Sequence, residues 1–355
     1  MAKIREVALV AGVLTGAGGV QRLTEVYARS LIDGGYKVTV FYRGESPDWL
    51  GSKAYFGLRG VRYGGFFAII KMAAVRRNLQ WIVMPDSRAR VFSALIPVSC
   101  GVYFLMDSVR FFEPKPKSFT KLLTWLVERY LVAFRVTLAS YQTVFDVIAS
   151  IGGDCKAVIY NPISSECMAA AKTSKAEGGS KRRKLIYMGR LEYEKGADLL
   201  PEICMELAER GSLGFDVEVW GDGSMRGALE TRISGLQMPD VRVSLMGVCK
   251  SPGSVYAYAD VVLLPSRTEG PSLTCAEAVS AGVPVVFFNV PGNGPNEVCG
   301  PGGYGVSAGD IKGFADAVIQ ASKLKSEDRL ALSHFGLGRY GSQSFLATLE
   351  RILQS

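Results

Sequence analysis

The segment from Ala259 to Phe288 admits few folds. It begins with the continuous apolar run ADVVLLP (Ala259–Pro265) and closes with another, VPVVFF (Val283–Phe288). Runs this short, apolar on both faces, read as buried parallel strands, and parallel strands need a crossover between them. The crossover here has room for one loop and one short helix. Ser272 follows the Gly270-Pro271 turn as an N-cap, Leu273 to Ala281 is helix-compatible, and Gly282 with Pro284 stops the helix. The loop of such a unit lies at the carboxyl end of its strand, and the amides of Ser272 to Cys275 point into a crevice suited to an anion. Two carboxylates flank that position, Glu269 in the loop and Glu277 a little over one turn into the helix. A phosphate between hydroxyl-rich groups matches this set, because a carboxylate accepts hydrogen bonds from a sugar or ribose diol. An acidic loop and an exposed helical Glu account for the same residues, so the rest of the chain must decide.

The strand-helix alternation runs through most of the sequence. Val7 to Val13 reads as a strand ending in TGAGGVQR (Thr15–Arg22), followed by a helix from Leu23 to Asp33 and a strand from Lys37 to Tyr42. Gly16, Gly18 and Gly19 do not form G-x-G-x-x-G, yet they let a phosphate or sugar approach the backbone. Residues 45–65 read as loop and short strand, and 66–80 as an amphipathic helix. WIVMPDS (Trp81–Ser87) and GVYFLMD (Gly101–Asp107) read as strands whose carboxyl ends carry Asp86 and Asp107. A long helix is expected over 118–139, before KAVIYNPIS closes the first domain. The expected division is a first domain over 1–165, a small, polar, Gly-containing linker over 166–183, and a second domain over 184–335. A C-terminal helix, 336–355, would cross back to the first domain.

At 355 residues two domains of ordinary size are expected, and 48% hydrophobic with 21% charged residues is globular composition. No apolar run reaches the ~20 residues of a spanning helix. The first residues could pass for a signal peptide, but Glu6 spoils the basic head, so a cytoplasmic protein is expected. Seven cysteines without a C-x-x-C pair suggest neither a metal site nor a disulfide framework. Charge is uneven: residues 1–165 hold 21 Lys and Arg against 11 Asp and Glu, an excess of +10, whereas the remainder holds 20 against 22. The basic excess, with the aromatic helical patterns at 66–80 and 116–141, fits an anionic membrane face. Two helices packed on a sheet with basic faces in water fit it too. No aromatic-basic RNA motif occurs, and nucleic acid is not an expected partner.

Taken together, these segments resemble the retaining glycosyltransferases of the GT-B fold, known as family four or glycosyl transferases group one. Glu269 and Glu277 match that family's E-x7-E signature, and YMGRLEYEKGADLL its G-R-L…K-G pair. VWGDGSM matches its G-D-G turn, SLMGV the segment that meets the base, and VPGNGPNEV its Gly-rich turn followed by a Glu. The resemblance covers residues 15–45 and 158–320. It implies an α/β protein with two Rossmann-like doubly wound domains facing each other across a cleft. By the same resemblance Arg190 and Lys195 hold a donor diphosphate, Glu277 the ribose diol, and Glu269 with Gly270, Pro271, Ser272 and Leu273 the donor sugar and its phosphate. Gly18 and Gly19 would approach the diphosphate from the first domain, with Gly221 and Val248 also at the donor. The implied reaction moves a hexose or N-acetylhexosamine from a UDP- or GDP-sugar to a lipid-linked or surface-polysaccharide acceptor at the inner face of a bacterial membrane. The nucleotide-sugar is then a co-substrate and no cofactor is expected. No Asp-x-Asp occurs, so a metal-independent reaction is expected.

One departure stands out. Many relatives carry a His where the strand here reads Tyr103-Phe104-Leu105-Met106-Asp107, and the sole histidine, His334, lies in the C-terminal helical region. Asp107 or Asp86 can bond a sugar hydroxyl in its place, or each can simply cap its strand end. Two other classes remain open. Gly221-x-Gly223-x-x-x-Gly227 imitates the dinucleotide turn of a nicotinamide-dependent oxidoreductase, although the next strand lacks the acidic residue a ribose would need. A non-catalytic nucleotide-sugar-binding protein is the other.

Overall fold

The computed structural model describes residues 6–15, 19–51, 57–63, 80–86, 89–90, 102–107, 119–170, 182–211, 213–238, 240–292 and 294–354. Gly18 and residues 66–79 of the helix expected over 66–80 lie outside these residues, and Gln80 begins a strand instead. The chain forms two compact units, one of residues 1–162 with 342–355 and one of residues 163–341.

The first unit is built on a parallel sheet whose described strands are β1 (Glu6–Val13), β2 (Lys37–Arg43), β3 (Leu58–Arg62), β4 (Gln80–Val83), β5 (Val102–Met106), β6 (Thr137–Ala139) and β7 (Cys155–Val158). Their order, β3-β2-β1-β4-β5-β6-β7, reverses direction between β1 and β4, the mark of a doubly wound sheet. Residues Val7 to Ala11 of β1 are fully buried, as a continuous apolar run requires, and the Trp81 ring stacks on Phe41 at 5.1 Å. Helix α1 (Gly19–Asp33) follows β1. The helix expected over 118–139 ends earlier. Helix α2 runs from Phe119 to Phe134, and Thr137–Ala139 instead pairs with Phe104–Met106 and with β7. The β-branched Val136-Thr137 pair favours extended backbone there, and a slot between two strands outweighs the helical periodicity of the preceding residues.

The second unit has strands β8 (Arg182–Met188), β9 (Gly214–Trp220), β10 (Val241–Gly247), β11 (Val261–Leu264), β12 (Val285–Asn289) and β13 (Gly303–Ser307), all parallel, in the order β10-β9-β8-β11-β12-β13. Its direction reverses between β8 and β11. Both apolar runs that bracket Glu269 and Glu277 are strands, β11 and β12, paired Val262 to Val285. Between them helix α3 (Leu273–Ser280) begins after Ser272, whose hydroxyl accepts from the Cys275 amide, and ends before Gly282 at φ +75°. The residues before β8 are not all linker: Ser165–Ala170 is helical and packs on a short helix, α4 (Pro252–Tyr256), of the same unit.

The C-terminal region is two helices, α5 (Ser326–Tyr340) and α6 (Ser342–Gln354), separated at Gly341, whose backbone is extended. Helix α6 belongs to the first unit, where Phe345 meets Tyr27 edge-on at 4.8 Å and Tyr36 donates to Glu350 at 3.4 Å.

Candidate functional site

The reversal between β8 and β11 leaves a crevice at their carboxyl ends, where open α/β sheets bind ligands. The two loops that meet there carry most of the residues singled out in the sequence. Lys195 and Glu269 come together across 74 positions: Lys195 Nζ donates to both Glu269 carboxylate oxygens at 2.9 Å. Ser266 Oγ donates to Glu269 Oε2 at 2.8 Å, so the carboxylate is held from two sides.

Backbone contact makes that approach possible. Gly196 lies at φ +68°, and a Cβ there would stand 1.9 Å from the Pro265 carbonyl oxygen. The loop after β8 therefore lies directly on the loop after β11. Gly221, at φ +141°, plays the matching part on the other side, since a Cβ would stand 1.8 Å from the Gly189 carbonyl. Gly270 is covered in turn by Gly294, where a Cβ would meet the Gly270 oxygen at 2.0 Å. Beneath the β8 loop, Tyr187 donates to the Arg190 carbonyl at 2.8 Å and lies 3.4 Å from that of Lys195. Burial, and then the nearby charge of Glu269, push its phenol well above the ordinary range. Arg267 completes the clasp: it forks onto Asp198 at 2.7 and 2.8 Å, and its guanidinium lies 3.8 Å from the Tyr193 ring centroid.

Arg190 is in a different state. It is exposed and pairs with Glu194 at 2.7 Å, an i, i+4 surface contact that costs little to break. Glu192 is held by the Ser224 hydroxyl at 2.6 Å and amide at 2.9 Å, which lowers its pKa.

Glu277 is only 1% exposed, on the face of α3 turned towards β8. Tyr256 lies 3.4 Å from its Oε2, and Thr274, one turn earlier, donates to the Met188 carbonyl at 3.3 Å. A free acidic surface residue is excluded. Val248, the first residue of the loop after β10, is 52% exposed. Gly247 pairs with Trp220, so that loop stands beside the Gly221 turn on the same sheet edge. Pro271 and Leu273 flank the Ser272 cap.

In the first unit Gly19 opens α1 and a Cβ there would meet no atom within 4 Å, so its backbone is approachable. Asp86 presses against the backbone of Gly12, where a Cβ would stand 2.3 Å from Oδ1, and it accepts from the Ala89 amide at 2.9 Å. Asp107 has a partner that sequence reading missed. The buried Arg90 donates to Asp107 at 3.1 Å, to the Leu105 carbonyl at 2.7 Å and to Glu128 at 2.8 Å. Asp107 is thus anchored through a buried cation. Nothing in the sequence signals this, because the two carboxylates are 17 and 38 positions from Arg90 and share no motif with it. His334 lies on α5. Among the described residues no group of three or more His, Cys, Asp and Glu side chains is placed to hold a metal ion.

Two parallel Rossmann-like units define the fold class, and solved structures share it. The UDP-glucose complex of HepE from Anabaena matches with a TM-score of 0.72 at 15% identity, over 98% of this chain and 99% of that one. Its fold is GT-B. Residues 182–323 match the family model described as glycosyl transferases group 1, so the second unit carries a glycosyltransferase-family domain. Among curated proteins, the 2-deoxystreptamine N-acetyl-D-glucosaminyltransferase of Niallia circulans is 30% identical over 156 residues, which are 43% of this chain and 38% of that protein. The 2-deoxystreptamine glucosyltransferase of Streptomyces kanamyceticus is 27% identical over 242 residues, 65% of this chain and 60% of its own length. The chain thus spans well under two thirds of the first of these relatives.

Proposed function

We propose that this chain is a retaining, metal-independent glycosyltransferase that moves a hexose or N-acetylhexosamine from a UDP- or GDP-sugar to a lipid-linked or surface-polysaccharide acceptor. The observation that carries the proposal is the convergence of Lys195, Glu269, the Ser272-capped helix start and the buried Glu277 at the β8/β11 edge. The family match over 182–323 spans all of them.

The chemistry follows from these groups. The acceptor oxygen bonds to the anomeric carbon as the bond from that carbon to the phosphate oxygen breaks. The diphosphate leaves with the electron pair and takes up the acceptor proton. Negative charge grows on the diphosphate, and Lys195, Arg190 and the amides at the start of α3 are the positive groups placed to meet it. One well-aimed donor of this kind is worth ~3 kcal/mol in the transition state. Arg190 can turn from Glu194 at small cost, whereas Lys195 must share its charge with Glu269. Glu269 is then the carboxylate for the donor sugar's hydroxyls, with Gly270 beside it, and Glu277 that for the ribose diol. In this reading the glycines at 221 and 19 let the ligand approach backbone, and Val248 meets the base. Asp107, and failing it Asp86, bonds a sugar hydroxyl from the first unit.

Incubation with UDP- and GDP-sugars tests the reading. It expects release of the nucleoside diphosphate in EDTA, and a transfer product that keeps the donor's anomeric configuration by NMR. An inverted product, or turnover lost in EDTA and restored by a divalent ion, would refute the finer assignment. The oxidoreductase alternative is weakened because Gly221 already has a packing reason to be glycine. Turnover without a partner protein would dispose of the non-catalytic alternative.

The acceptor assignment extends to a membrane surface. Leu126, Tyr130 and Phe134 repeat every four residues along α2 and are 51%, 37% and 71% exposed, with Arg129 exposed beside them. An apolar stripe with a basic neighbour, in the half of the chain that carries +10, suits the interface of an anionic bilayer. Among the described residues no helix is long and apolar enough to cross one. Co-sedimentation with phosphatidylglycerol vesicles, reduced in Phe134→Ser and absent with phosphatidylcholine, is the expected result. Equal behaviour on both lipids would count against it.

A further inference from the structure

A carboxylate buried as deeply as Glu277 needs hydrogen-bond donors, and their direction fixes where it points. Tyr256 is equally buried, and its hydroxyl lies 3.4 Å from Glu277 Oε2 and 3.3 Å from Met188 Sδ. A thioether is a weak acceptor and a carboxylate a strong one, so the phenolic proton belongs to Glu277. The sulfur backs the hydroxyl from the β8 side, and the Thr274 bond to the Met188 carbonyl ties the first turn of α3 to the same strand end. Three elements, β8 through Met188, α4 through Tyr256 and α3 through Glu277, thus meet at the Tyr256 hydroxyl.

The route of the chain adds a second reason. Helix α4, which ends at Tyr256, begins four residues after Val248. A group seated against the Val248 loop and a group bonded to Glu277 would therefore be linked through a single buried helix.

We propose that Tyr256 is a positioning residue that aims the Glu277 carboxylate at a vicinal diol, that of the ribose of a nucleoside diphosphate. This rests on the donor-site reading above. Tyr256 touches neither the diphosphate nor the sugar in this account. It acts only through Glu277, so its removal must be felt by ligands that carry the diol and ignored by those that lack it.

The test is calorimetric. UDP and GDP are titrated into the full-length protein, and the one that binds is compared with its 2′,3′-dideoxy counterpart, for wild type, Tyr256→Phe, Glu277→Gln and the double variant. Wild type is expected to prefer the diol by about tenfold or more, the worth of one hydrogen bond to a charged group. Tyr256→Phe should cut that preference at least threefold while leaving dideoxy affinity within a factor of two, and in the Glu277→Gln background it should change nothing further. Met188→Leu, which keeps the hydroxyl and removes its weaker acceptor, guards against a folding defect in the phenylalanine variant and should hold the diol preference at or above wild type. An equal loss for both ligands, an unchanged preference, or a drop in Met188→Leu overturns the positioning role alone. If Glu277→Gln keeps the full diol preference, or neither nucleotide binds the wild type, the donor-site reading falls and the proposal with it.

Discussion

Replacing Lys195 separates what the Lys195–Glu269 pair does for folding from what it does for chemistry. Its ammonium meets both carboxylate oxygens at 2.9 Å, and the two side chains are 25% and 10% exposed. At an effective dielectric near 20 the gross attraction at this range is ~5 kcal/mol. Desolvation takes back more than half, and Glu269 keeps the Ser266 hydroxyl, so Lys195→Met should cost ~2 kcal/mol. In a unit of this size, residues 163–341, that is a fall in Tm of about 4–8 °C. Lys195→Met with Glu269→Gln removes the stranded charge and should recover at least half of the loss, a coupling of ~1 kcal/mol or more in a thermal-unfolding cycle. Turnover should behave otherwise: each single variant and the double should lose about a hundredfold or more in kcat, because Lys195→Met and the double lack the ammonium aimed at the leaving group, and Glu269→Gln and the double lack the carboxylate that holds the donor sugar. Additive stability effects would show that the pair is not coupled as drawn. A double variant with wild-type turnover would refute the catalytic use of both residues.

Three further outcomes follow from other contacts. Gly196→Ala should destabilise the second unit by ~2 kcal/mol or more, since a left-handed backbone alone costs ~1 kcal/mol and the new Cβ would meet the Pro265 carbonyl; an unchanged thermal transition would remove the close approach of the two loops. Arg90→Ala should cost ~3–5 kcal/mol in chemical unfolding because it removes the buried cation that Glu128 and Asp107 share, and the loss should shrink when Glu128→Gln is added. Asp216 is raised by burial, but bonds from Arg182 and Lys184 outweigh this and lower its pKa in the folded state. Its contribution is therefore complete above the unfolded value, ~3.9, and disappears as pH falls through the lower folded value. Asp216→Asn should cost ~1 kcal/mol at pH 7 and progressively less in acid; a gap that widens on acidification would contradict the assignment.

Much of the second unit was legible because its signals are local. Short continuous apolar runs bounded by turn residues read as buried parallel strands, Ser272 caps the helix that the Gly270-Pro271 turn announces, and Gly282 ends it. Glu269 and Glu277 were legible as a pair because both belong to that one crossover. What sequence could not reveal depends on partners distant along the chain. The three-residue strand Thr137–Ala139 is too short to show a period and was absorbed into the pattern of α2. The break at Gly341 falls inside the helix expected over 336–355; Gly338, Gly341 and Ser342 are weak helix formers, but the helical periodicity on both sides runs across them. Arg90 reads as any surface arginine until the fold brings Glu128 and Asp107 to it. The Tyr256 contact depends on a helix of only five residues, too short to show a helical period.

The central claim is that the β8/β11 edge of the second unit binds a nucleoside diphosphate through Glu277 and Lys195. Titration calorimetry of UDP and of GDP against wild type, Glu277→Ala and Lys195→Ala tests it most directly. One of the two nucleotides is expected to bind the wild type, with affinity at least tenfold weaker in each variant. Binding of neither nucleotide, or equal affinity in all three proteins, would contradict it.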